Sequence, residues 1–454
     1  MQIEFSSCAY AMKDVLVIGA ARSGVAAAKL LHKHGYHVIL TDMKAVDQKE
    51  ELMEMGIEVY DEGHPEFLKE KNYDFIVKNP GIPYRAPLVA YFKEKGVPIY
   101  TEIETAGWFA PNFQYGAVTG TDGKTTITTL LYEMLKAKDD RAQAAGNIGI
   151  PLSEVVNGNE DQDLPVALEL SNFQLLGIEK FHPHISVVSN LAPDHLDYMD
   201  SLEDYYRSKF RVYENETKED YFIRNLDDPN VMHYAVNIPC QVIDFSLTDP
   251  KANLRVENGS VYLDDLRLFD VADLKLVGSF NLANAMMAAA MAYHLGVDQP
   301  TIEDVIKNFK GVEHRIEYVD TWNGIRIYND SKATNTHSAE AALSSFEGGV
   351  RLLAGGKDKG IDYTVLKKYD DRIAKCYSFG QIENVFTEIF SNVETCETME
   401  KALDAALAEA KPGEVILLCP ATSSFDQFKN YEVRGEIFKD LVHDRLAKKR
   451  DQQA

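Results

Sequence analysis

One stretch of the chain reads Ala117-Val-Thr-Gly-Thr-Asp-Gly-Lys-Thr-Thr126: the end of an apolar strand, a glycine-rich turn and the start of a helix. The two glycines allow backbone N–H groups to point inward, and the N-terminus of the helix adds a dipole that favours an anion. Lys124 can reach the outer phosphates of a nucleotide, and the Thr125 hydroxyl can ligate Mg²⁺. Val118 stands where the full phosphate-loop pattern has its first glycine. An ordinary glycine turn with an exposed lysine is the alternative, but the strand–turn–helix order favours a nucleoside triphosphate site.

Around this motif, short β-rich runs alternate with helical stretches in three blocks of the sequence. Examples are Val15-Leu-Val-Ile in the first block, Val166-Ala-Leu-Glu-Leu in the second and Val350-Arg-Leu-Leu in the third. Such alternation is typical of βαβ units on a parallel sheet. The pattern predicts an α/β protein with three domains, over residues 1–106, 107–311 and 312–454. Within the second, the Asn-Gly centre of Leu254-Arg-Val-Glu-Asn-Gly-Ser-Val-Tyr-Leu predicts a tight hairpin.

Composition excludes several classes of protein. Among 454 residues, 47 lysines and arginines stand against 71 aspartates and glutamates, which gives a formal net charge of −24. This balance disfavours nonspecific binding to nucleic acid or to anionic membranes. The five scattered cysteines fit reduced cytosolic thiols. No apolar run approaches the roughly 18 residues of a membrane span, and residues 1–12 do not resemble a signal peptide. We therefore expect a cytoplasmic protein without a membrane span.

Carboxylate and histidine candidates follow the next two predicted strands. Glu169 ends an apolar strand, and His195 lies in Asn190-Leu-Ala-Pro-Asp-His-Leu-Asp197, directly after another. Because ligands bind at the carboxyl ends of parallel strands, both side chains could face one crevice. Lys209 lies on a predicted helix close behind. Taken singly, each has an ordinary alternative: a glutamate at a solvent edge, a loop histidine and a solvated surface lysine.

Eight motifs occur together in one order and resemble the Mur ligases over nearly the whole chain. They are Gly120-Thr-Asp-Gly-Lys-Thr-Thr, Gly146-Asn-Ile-Gly-Ile-Pro, Glu169-Leu-Ser-Asn-Phe-Gln-Leu, Asn190-Leu-Ala-Pro-Asp-His-Leu-Asp, Asn281-Leu-Ala-Asn, His314-Arg, Asp330-Ser-Lys-Ala-Thr-Asn and Ser424-Phe-Asp-Gln-Phe-Lys-Asn-Tyr. The resemblance implies Rossmann-like N-terminal and C-terminal domains and a central P-loop ATPase-like parallel sheet. It also implies an ATP-dependent ligase that joins D-glutamate to the L-alanine carboxylate of UDP-N-acetylmuramoyl-L-alanine through an acyl phosphate. The three domains would bind the UDP-substrate, ATP and the amino acid, in chain order.

The resemblance further implies roles for individual residues. The ATP contacts would be Gly120, Thr121, Asp122, Gly123, Lys124, Thr125, Thr126, Asn281, Asn284, Arg315 and Asp330. Two Mg²⁺ ions would be held by Thr125, Glu169, His195 and Lys209, with Lys209 carbamylated to give an oxygen ligand. Lys124, Glu169, His195 and Lys209 would form the catalytic set. The D-glutamate pocket would consist of Lys332, Thr334, Lys359, Ser424, Phe425 and Tyr431, although Lys359 alone could be a surface lysine.

The UDP-linked substrate would meet the first block and part of the second. The expected contacts are Ala21, Arg22, Ser23, Asp42, Gly81 and Asn147. Gly19-Ala-Ala-Arg-Ser-Gly24 follows a strand and opens a helix, so it offers backbone donors to a diphosphate. Ala21 replaces the middle glycine of the dinucleotide fingerprint, which leaves open how closely the backbone approaches that diphosphate.

Three other functions compete with this ligase. A folylpolyglutamate-type ligase would share the phosphate loop, but pterin-binding features are not evident, and Asp330-Ser-Lys-Ala-Thr-Asn argues against it. A nicotinamide-dependent oxidoreductase would explain Gly19 to Asp42, yet it leaves the phosphate loop and the third block without a role. A nucleotide-controlled switch would hydrolyse or exchange nucleotide and form no amide.

Overall fold

The computed structural model of the protein describes residues 13–193, 199 and 201–451. Its strands form three sheets. By their internal contacts, residues up to Phe269 and Met286–Ile302 form one compact unit, and Asp270–Ala285 with the chain from Glu303 onward form a second. The first unit holds two of the sheets and the second holds the third. The domain boundaries expected near residues 106 and 311 stay a prediction.

The first sheet is wholly parallel and has five strands. They are β1 Asp14–Ile18, β2 His37–Thr41, β3 Glu58–Tyr60, β4 Phe75–Lys78 and β5 Ile99–Tyr100, in the order β3-β2-β1-β4-β5. The helices of this part are α1 Arg22–Lys33, α2 Lys49–Glu54, α3 Pro87–Glu94 and α4 Glu102–Gly107. The strand order reverses at β1, so the loops after β1 and β4 border the crevice where ligands bind in such sheets.

The second sheet has nine strands in the order β14-β13-β12-β11-β10-β9-β6-β8-β7. The strands are β6 Gln114–Thr119, β7 Gln143–Gly146, β8 Pro165–Glu169, β9 Ile185–Val188, β10 Tyr221–Asn225, β11 Gln241–Phe245, β12 Leu254–Glu257, β13 Ser260–Leu263 and β14 Leu266–Asp270. The helices are α5 Lys124–Lys138, α6 Leu152–Val156, α7 Asn172–Leu175, α8 Leu202–Lys209 and α9 Pro229–Tyr234. Pairing is parallel from β7 to β12. Because β6 lies between β8 and β9, the ends of these three strands meet at one edge.

The predicted hairpin is present. Strands β12 and β13 pair antiparallel, with Glu257 opposite Ser260. The two residues between them, Asn258 and Gly259, have φ of 50° and 82°. Positive φ at both central positions is what a type I′ hairpin turn requires, so the Asn-Gly prediction is confirmed.

The third sheet has six strands in the order β15-β16-β20-β17-β18-β19. The remaining helices and strands are α10 Ser279–His294, α11 Gln299–Asn308, β15 Glu317–Trp322, β16 Ile325–Asn329, α12 Thr336–Ser344, β17 Val350–Gly355, β18 Ile373–Phe379, β19 Val393–Thr395, α13 Met399–Glu409, β20 Val415–Leu418 and α14 Tyr431–Asp451. Short 3₁₀ helices cover Glu66–Lys69, Phe210–Tyr213, Val271–Asp273, Thr364–Arg372, Gly380–Ile382 and Val385–Glu388. All neighbouring strands are parallel except β15 and β16. Among the described residues, no helix is long and apolar enough to cross a bilayer.

A buried carboxylate joins the end of the first sheet to the second within the first unit. Glu104 lies in α4, directly after β5, and has no exposed surface. Its oxygens accept the backbone N–H groups of residues 179–181 at 2.8–3.1 Å and the indole N–H of Trp108 at 2.7 Å. Thr101 adds a bond from its hydroxyl to the Gln174 carbonyl at 2.7 Å. Such charge-assisted bonds away from water hold the two sheets of this unit firmly together.

Candidate functional site

The phosphate loop between β6 and α5 needs glycine at both of its glycine positions. Gly120 has φ of 141°, and a Cβ there would lie 2.0 Å from Ser189 Oγ. Gly123 has φ of 82° and directly precedes α5, which begins at Lys124. Both positions lie in the region of φ that favours glycine. The loop therefore leads, through two residues that have no side chain, into the N-terminus of a 15-residue helix, where the helix dipole favours an anion.

The loop is held in shape by the residues that follow strand β9. Ser189 Oγ donates to the Asp122 carbonyl at 2.6 Å. Asp122 N–H donates to Asn190 Oδ1 at 2.9 Å, and Thr121 N–H donates to the Asn190 carbonyl at 3.0 Å. Neither Ser189 nor Asn190 was assigned a role from the sequence. The available signal was their position, directly after a strand that pairs with β6.

Two lysines converge on the loop from different helices. Lys124 Nζ donates to the carbonyls of Gly120 and Thr121 at 2.9 and 2.8 Å. Lys209, at the end of α8, donates from Nζ to the Gly120 carbonyl at 2.8 Å. Only 2% of Lys209 is exposed, so it is not a solvated surface lysine. The structure thus brings together two of the four residues of the expected catalytic set.

Glu169 ends β8 one strand away from the loop. It pairs with Val118 across the sheet, two residues before the loop begins at Gly120. Glu169 is 1% exposed, and its Oε1 accepts the Asn147 side-chain amide at 2.7 Å. Its Oε2 is buried without a hydrogen-bond partner among the residues that the structure describes. A buried, unpaired carboxylate oxygen is costly, and a divalent cation would supply its missing partner.

The segment that carries Asn147 is built against the same carboxylate. Gly146 has φ of 98°, and a Cβ there would lie 2.2 Å from the Glu169 carbonyl oxygen. Asn147 N–H donates to that carbonyl at 2.8 Å. The predicted substrate contact Asn147 is therefore placed next to Glu169 by both its backbone and its side chain. His195, the last member of the expected catalytic and metal sets, lies outside the described residues.

In the first sheet, Asp42 orders the loop after β1. Its Oδ2 accepts the N–H of Ala20 at 2.6 Å, and its Oδ1 accepts the N–H of Lys44 at 2.8 Å. Asp42 also lines two cavities. One, of about 920 Å³, includes the expected substrate contacts Ala21 and Arg22. The other, of about 560 Å³, lies along β1 and α3.

The departure at Ala21 has a structural explanation. Ala21 has φ of −69°, an ordinary value for any residue, so glycine is not required there. The last glycine of the motif is different, because a Cβ on Gly24 would lie 1.9 Å from the Gly19 carbonyl. The turn therefore keeps glycine where the helix and strand approach each other and admits alanine between them.

The turn after β4 faces the turn after β1. Asn79 Nδ2 donates to Ser23 Oγ at 3.0 Å, and Gly81 N–H donates to Asn79 Oδ1 at 3.1 Å. Below the turn, the fully buried Lys78 donates from Nζ to the carbonyls of Asn79 and Ile82 at 3.1 and 2.7 Å. Burial lowers the pKa of Lys78 to about 7. The role of Lys78 could not be predicted from the sequence, because nothing in a short apolar strand shows that its lysine points inward.

In the second unit, four of the predicted amino-acid contacts lie in pairs. Lys359 Nζ donates to the Thr334 carbonyl at 3.0 Å, although Lys359 lies in an exposed loop. Lys332 Nζ lies 5.8 Å from the centre of the Tyr431 ring. These side chains come from the segments after β16 and β17 and from the start of α14. Each of the two lysines expected in the D-glutamate pocket therefore lies beside another residue expected in that pocket.

The segment after β20 carries the other two members of that set. Ser424 is 2% exposed, whereas Phe425 is 63% exposed. The segment is tied to the loop after β17, because Lys357 N–H donates to the Ser423 carbonyl at 2.9 Å. Thr422 Oγ1 donates back to the Lys357 carbonyl at 2.6 Å. The large exposed ring of Phe425 is available to cover a ligand.

Asp330, expected to contact the nucleotide, is buried at the end of β16. Its Oδ1 accepts the Ile316 N–H at 3.2 Å. Burial raises its pKa from 3.8 to about 7, and the nearby charge of Arg315 acts in the opposite direction. Asn281 and Asn284 are also buried in this unit, and Asn281 donates to the Val277 carbonyl at 2.7 Å. The ATP contacts expected for these residues stay predictions.

Comparison with known proteins identifies the family. Residues 118–292 match the family described as Mur ligase middle domain, and residues 314–422 match the Mur ligase, glutamate ligase domain. A Geobacillus protein named UDP-N-acetylmuramoylalanine–D-glutamate ligase is 42% identical over 444 residues, which cover 96% of this chain and 98% of that protein. The chain belongs to the Mur ligase family.

Other Mur ligases extend this result. A Bacillus cereus protein of the same name is 39% identical over 440 residues, covering 95% of this chain and 97% of that protein. The solved UDP-N-acetylmuramate-alanine ligase of Thermotoga maritima aligns with a TM-score of 0.54 and 19% identity over 96% of this chain and all of that one. At that identity the structural similarity bears on the fold alone. It confirms the predicted α/β three-domain fold class of the Mur ligases.

Proposed function

We propose that this Mur ligase joins D-glutamate to the L-alanine carboxylate of UDP-N-acetylmuramoyl-L-alanine and converts ATP to ADP and phosphate. The observation that carries the proposal is identity of 37–42% over nearly the whole chain to proteins with that ligase name. The phosphate loop with its two lysines and the unpaired Glu169 oxygen supports it. The proposal places the protein in the cytoplasm, where ATP and a nucleotide-linked precursor are available.

The chemistry requires activation of a carboxylate, which is a poor electrophile at neutral pH. A carboxylate oxygen of the L-alanine end attacks the γ-phosphorus of ATP, ADP leaves, and an acyl phosphate forms. The amine of D-glutamate then attacks the carbonyl carbon, loses a proton, and phosphate leaves as the amide forms. Phosphoryl transfer depends mainly on positioning and charge neutralisation. Lys124, at the first turn of α5, supplies a cation that can move from loop carbonyls to phosphate oxygens.

Magnesium fits the residues of the loop. Thr125 and Glu169 would hold one ion, since a hydroxyl and a carboxylate are suitable oxygen ligands and Glu169 Oε2 has no other described partner. When bound, Mg²⁺ would neutralise charge on the transferred phosphoryl group. His195 and Lys209 would serve a second ion. Addition of CO₂ to Lys209 would replace a buried ammonium with an anionic oxygen ligand, and its remaining N–H could keep the bond to the Gly120 carbonyl.

The amino-acid pocket belongs to the second unit in this proposal. D-Glutamate carries two carboxylates, and the two lysines Lys332 and Lys359 match them in charge. Ser424 offers a buried hydroxyl, and Phe425 offers an exposed ring to cover the apolar part of the ligand. The UDP end of the other substrate would lie against Asp42 and the turns after β1 and β4 in the first unit.

One assay tests the reaction. The protein is incubated with UDP-N-acetylmuramoyl-L-alanine, ATP, Mg²⁺ and D-glutamate, and both phosphate and the mass of the nucleotide product are measured. We expect phosphate and amide in equal amounts, with both dependent on D-glutamate. Equal phosphate release with and without D-glutamate would contradict the proposal and favour the nucleotide switch. L-Glutamate and glycine serve as control amino acids.

A further inference from the structure

Arg434 is a fully buried arginine at the end of the first turn of α14. It has no exposed surface, and it is the largest of the fully buried side chains among the described residues. Its burial could not be predicted from the sequence, because a lone arginine on a helix is usually a solvated residue. Burying a guanidinium costs free energy unless its N–H groups have hydrogen-bond acceptors. The acceptors of Arg434 therefore identify the segments that it holds in place.

The guanidinium contacts three separate segments. Its Nε donates to Ser331 Oγ at 2.9 Å and its Nη2 donates to the Ser331 carbonyl at 2.8 Å. Nη1 and Nη2 each donate a hydrogen bond to the Thr422 carbonyl at 3.3 Å. On the third side, a Cβ on Gly356 would lie 3.3 Å from Nη1, so that backbone packs against the same group.

These three segments follow β16, β17 and β20, which are adjacent strands of the third sheet. Each segment carries residues of the amino-acid pocket a short distance beyond its contact with the guanidinium. Lys332 and Thr334 follow Ser331, Lys359 follows Gly356, and Ser424 follows Thr422. Ser331 Oγ also donates to the Tyr431 carbonyl at 2.8 Å, which joins the start of α14 to the same arrangement.

The charge of Arg434 also suits the ligand. Two carboxylates face it, Asp330 and Asp426, and they favour its protonated form. Burial acts more strongly and lowers the pKa of Arg434 to about 10, which still leaves it charged at neutral pH. A fixed cation in contact with the segments that carry Lys332 and Lys359 adds to the positive potential of these two lysines and favours a dianionic amino acid.

We propose that Arg434 is a positioning residue that sets the amino-acid pocket with one guanidinium, which donates hydrogen bonds to the segments after β16 and β20 and packs against the segment after β17. The inference rests on the proposed function for the identity of the ligand, but the structural relationship can be tested without it. A lysine at this position keeps the charge and loses the planar fork, so it cannot bind Ser331 and Thr422 in the same geometry.

The kinetic test compares Arg434→Lys with the wild type and with Arg445→Met. Arg445 lies on the same helix and makes its ion pairs with Glu400 and Asp404 instead. We expect Arg434→Lys to raise the KM for D-glutamate about tenfold, while the KM for ATP and kcat at saturating D-glutamate change less than about threefold. The Arg445→Met variant should keep the wild-type KM. An unchanged KM for D-glutamate in Arg434→Lys would overturn the inference, and absence of amide product with the wild type would instead overturn the proposed function.

Hydrogen exchange gives a readout that does not depend on any substrate. In Arg434→Lys we expect faster exchange in all three segments, at residues 331–334, 356–359 and 422–425, with β17 and β20 still protected. Faster exchange in only one segment, or in none, would overturn the inference. Ser331→Ala is a smaller change, and we expect it to raise the exchange rates of the same segments to a lesser degree. This variant replaces Arg434→Lys in the test if the lysine variant does not fold.

Discussion

Lys124 and Lys209 donate hydrogen bonds to the same atom, the carbonyl oxygen of Gly120, at 2.9 and 2.8 Å. Lys124 begins the helix that follows the phosphate loop, whereas Lys209 ends α8, 85 residues further along the chain. Both lysine side chains thus reach the point where nucleotide phosphates are expected. The arrangement makes different predictions for the two lysines.

Replacement of Lys124 tests its role in charge neutralisation. We expect Lys124→Met to lower kcat about 100-fold or more with the fold intact, because a cation aimed at developing phosphate charge is removed. Lys138→Met on the same helix is the matched control, since Lys138 Nζ donates to the Leu295 carbonyl instead. Steady-state phosphate release and circular dichroism provide the measurement. A Lys124→Met enzyme within a few-fold of wild type would refute the assigned role.

The carbamate proposed for Lys209 predicts that activity depends on dissolved CO₂. We expect turnover to fall in buffers depleted of CO₂ and bicarbonate and to recover when bicarbonate is returned. Lys209→Met should be inactive under both conditions. Arg207→Met, which removes an exposed residue paired with Glu203 on the same helix, should retain the wild-type bicarbonate response. Full activity without bicarbonate would rule out the carbamate.

Because one oxygen of Glu169 is unpaired, we expect Glu169→Gln to stabilise the protein without metal but to weaken its stabilisation by Mg²⁺ and ATP. Without metal, Glu169→Gln should raise the free energy of unfolding by roughly 1 kcal/mol, because a buried unpaired charge is removed. Added Mg²⁺ and ATP should stabilise the wild type more than the variant, since binding stabilises the folded state. Thermal melts with and without these ligands measure both effects. Glu154→Gln, at an exposed position, is the control.

Glu216 predicts how stability varies with pH. It is 4% exposed, accepts a bond from the Cys240 thiol at 2.8 Å, and burial raises its pKa from 4.5 to about 8. Because the folded value is the higher one, its stabilising contribution is complete below pH 4.5 and is lost as pH rises through 8. Glu216→Gln should therefore gain stability relative to wild type over this interval, by at most about 1.4 kcal/mol per pH unit, and no further above it.

Urea unfolding at a series of pH values measures this difference. The exposed Glu219→Gln variant is the control and should follow the wild-type curve. Parallel curves for wild type and Glu216→Gln between pH 5 and roughly 8 would show that burial does not shift this carboxyl as expected.

Short sequence patterns predicted the parts of the fold that depend on the backbone conformation of a few neighbouring residues. The glycines at 120 and 123 predicted a strand–turn–helix loop, and both have positive φ in the structure. The Asn258-Gly259 pair predicted the hairpin for the same reason. Glu169 could be placed near the loop in advance, because the ends of adjacent parallel strands share one edge of the sheet.

Side chains that depend on distant contacts could not be found in this way. The position of Lys209 beside Gly120 arises from packing of α8 against the phosphate loop, and a lysine on a short helix gives no sign of it. Lys78 and Arg434 are similar: each is fully buried and binds backbone carbonyls, which carry no sequence information. The division into two compact units likewise depends on contacts rather than on composition.

The Glu104 carboxylate has a consequence for how an acceptor is selected. Three of its four donors are the backbone N–H groups of residues 179–181, so this carboxylate holds the sheet with the turns after β1 and β4 to the sheet with the phosphate loop. We expect an acceptor to be chosen partly by its length: a shorter sugar nucleotide, anchored at the uridine end, would leave its carboxylate short of the γ-phosphate. The enzyme would then discriminate between precursors by the distance from the uridine to the carboxylate as well as by charge.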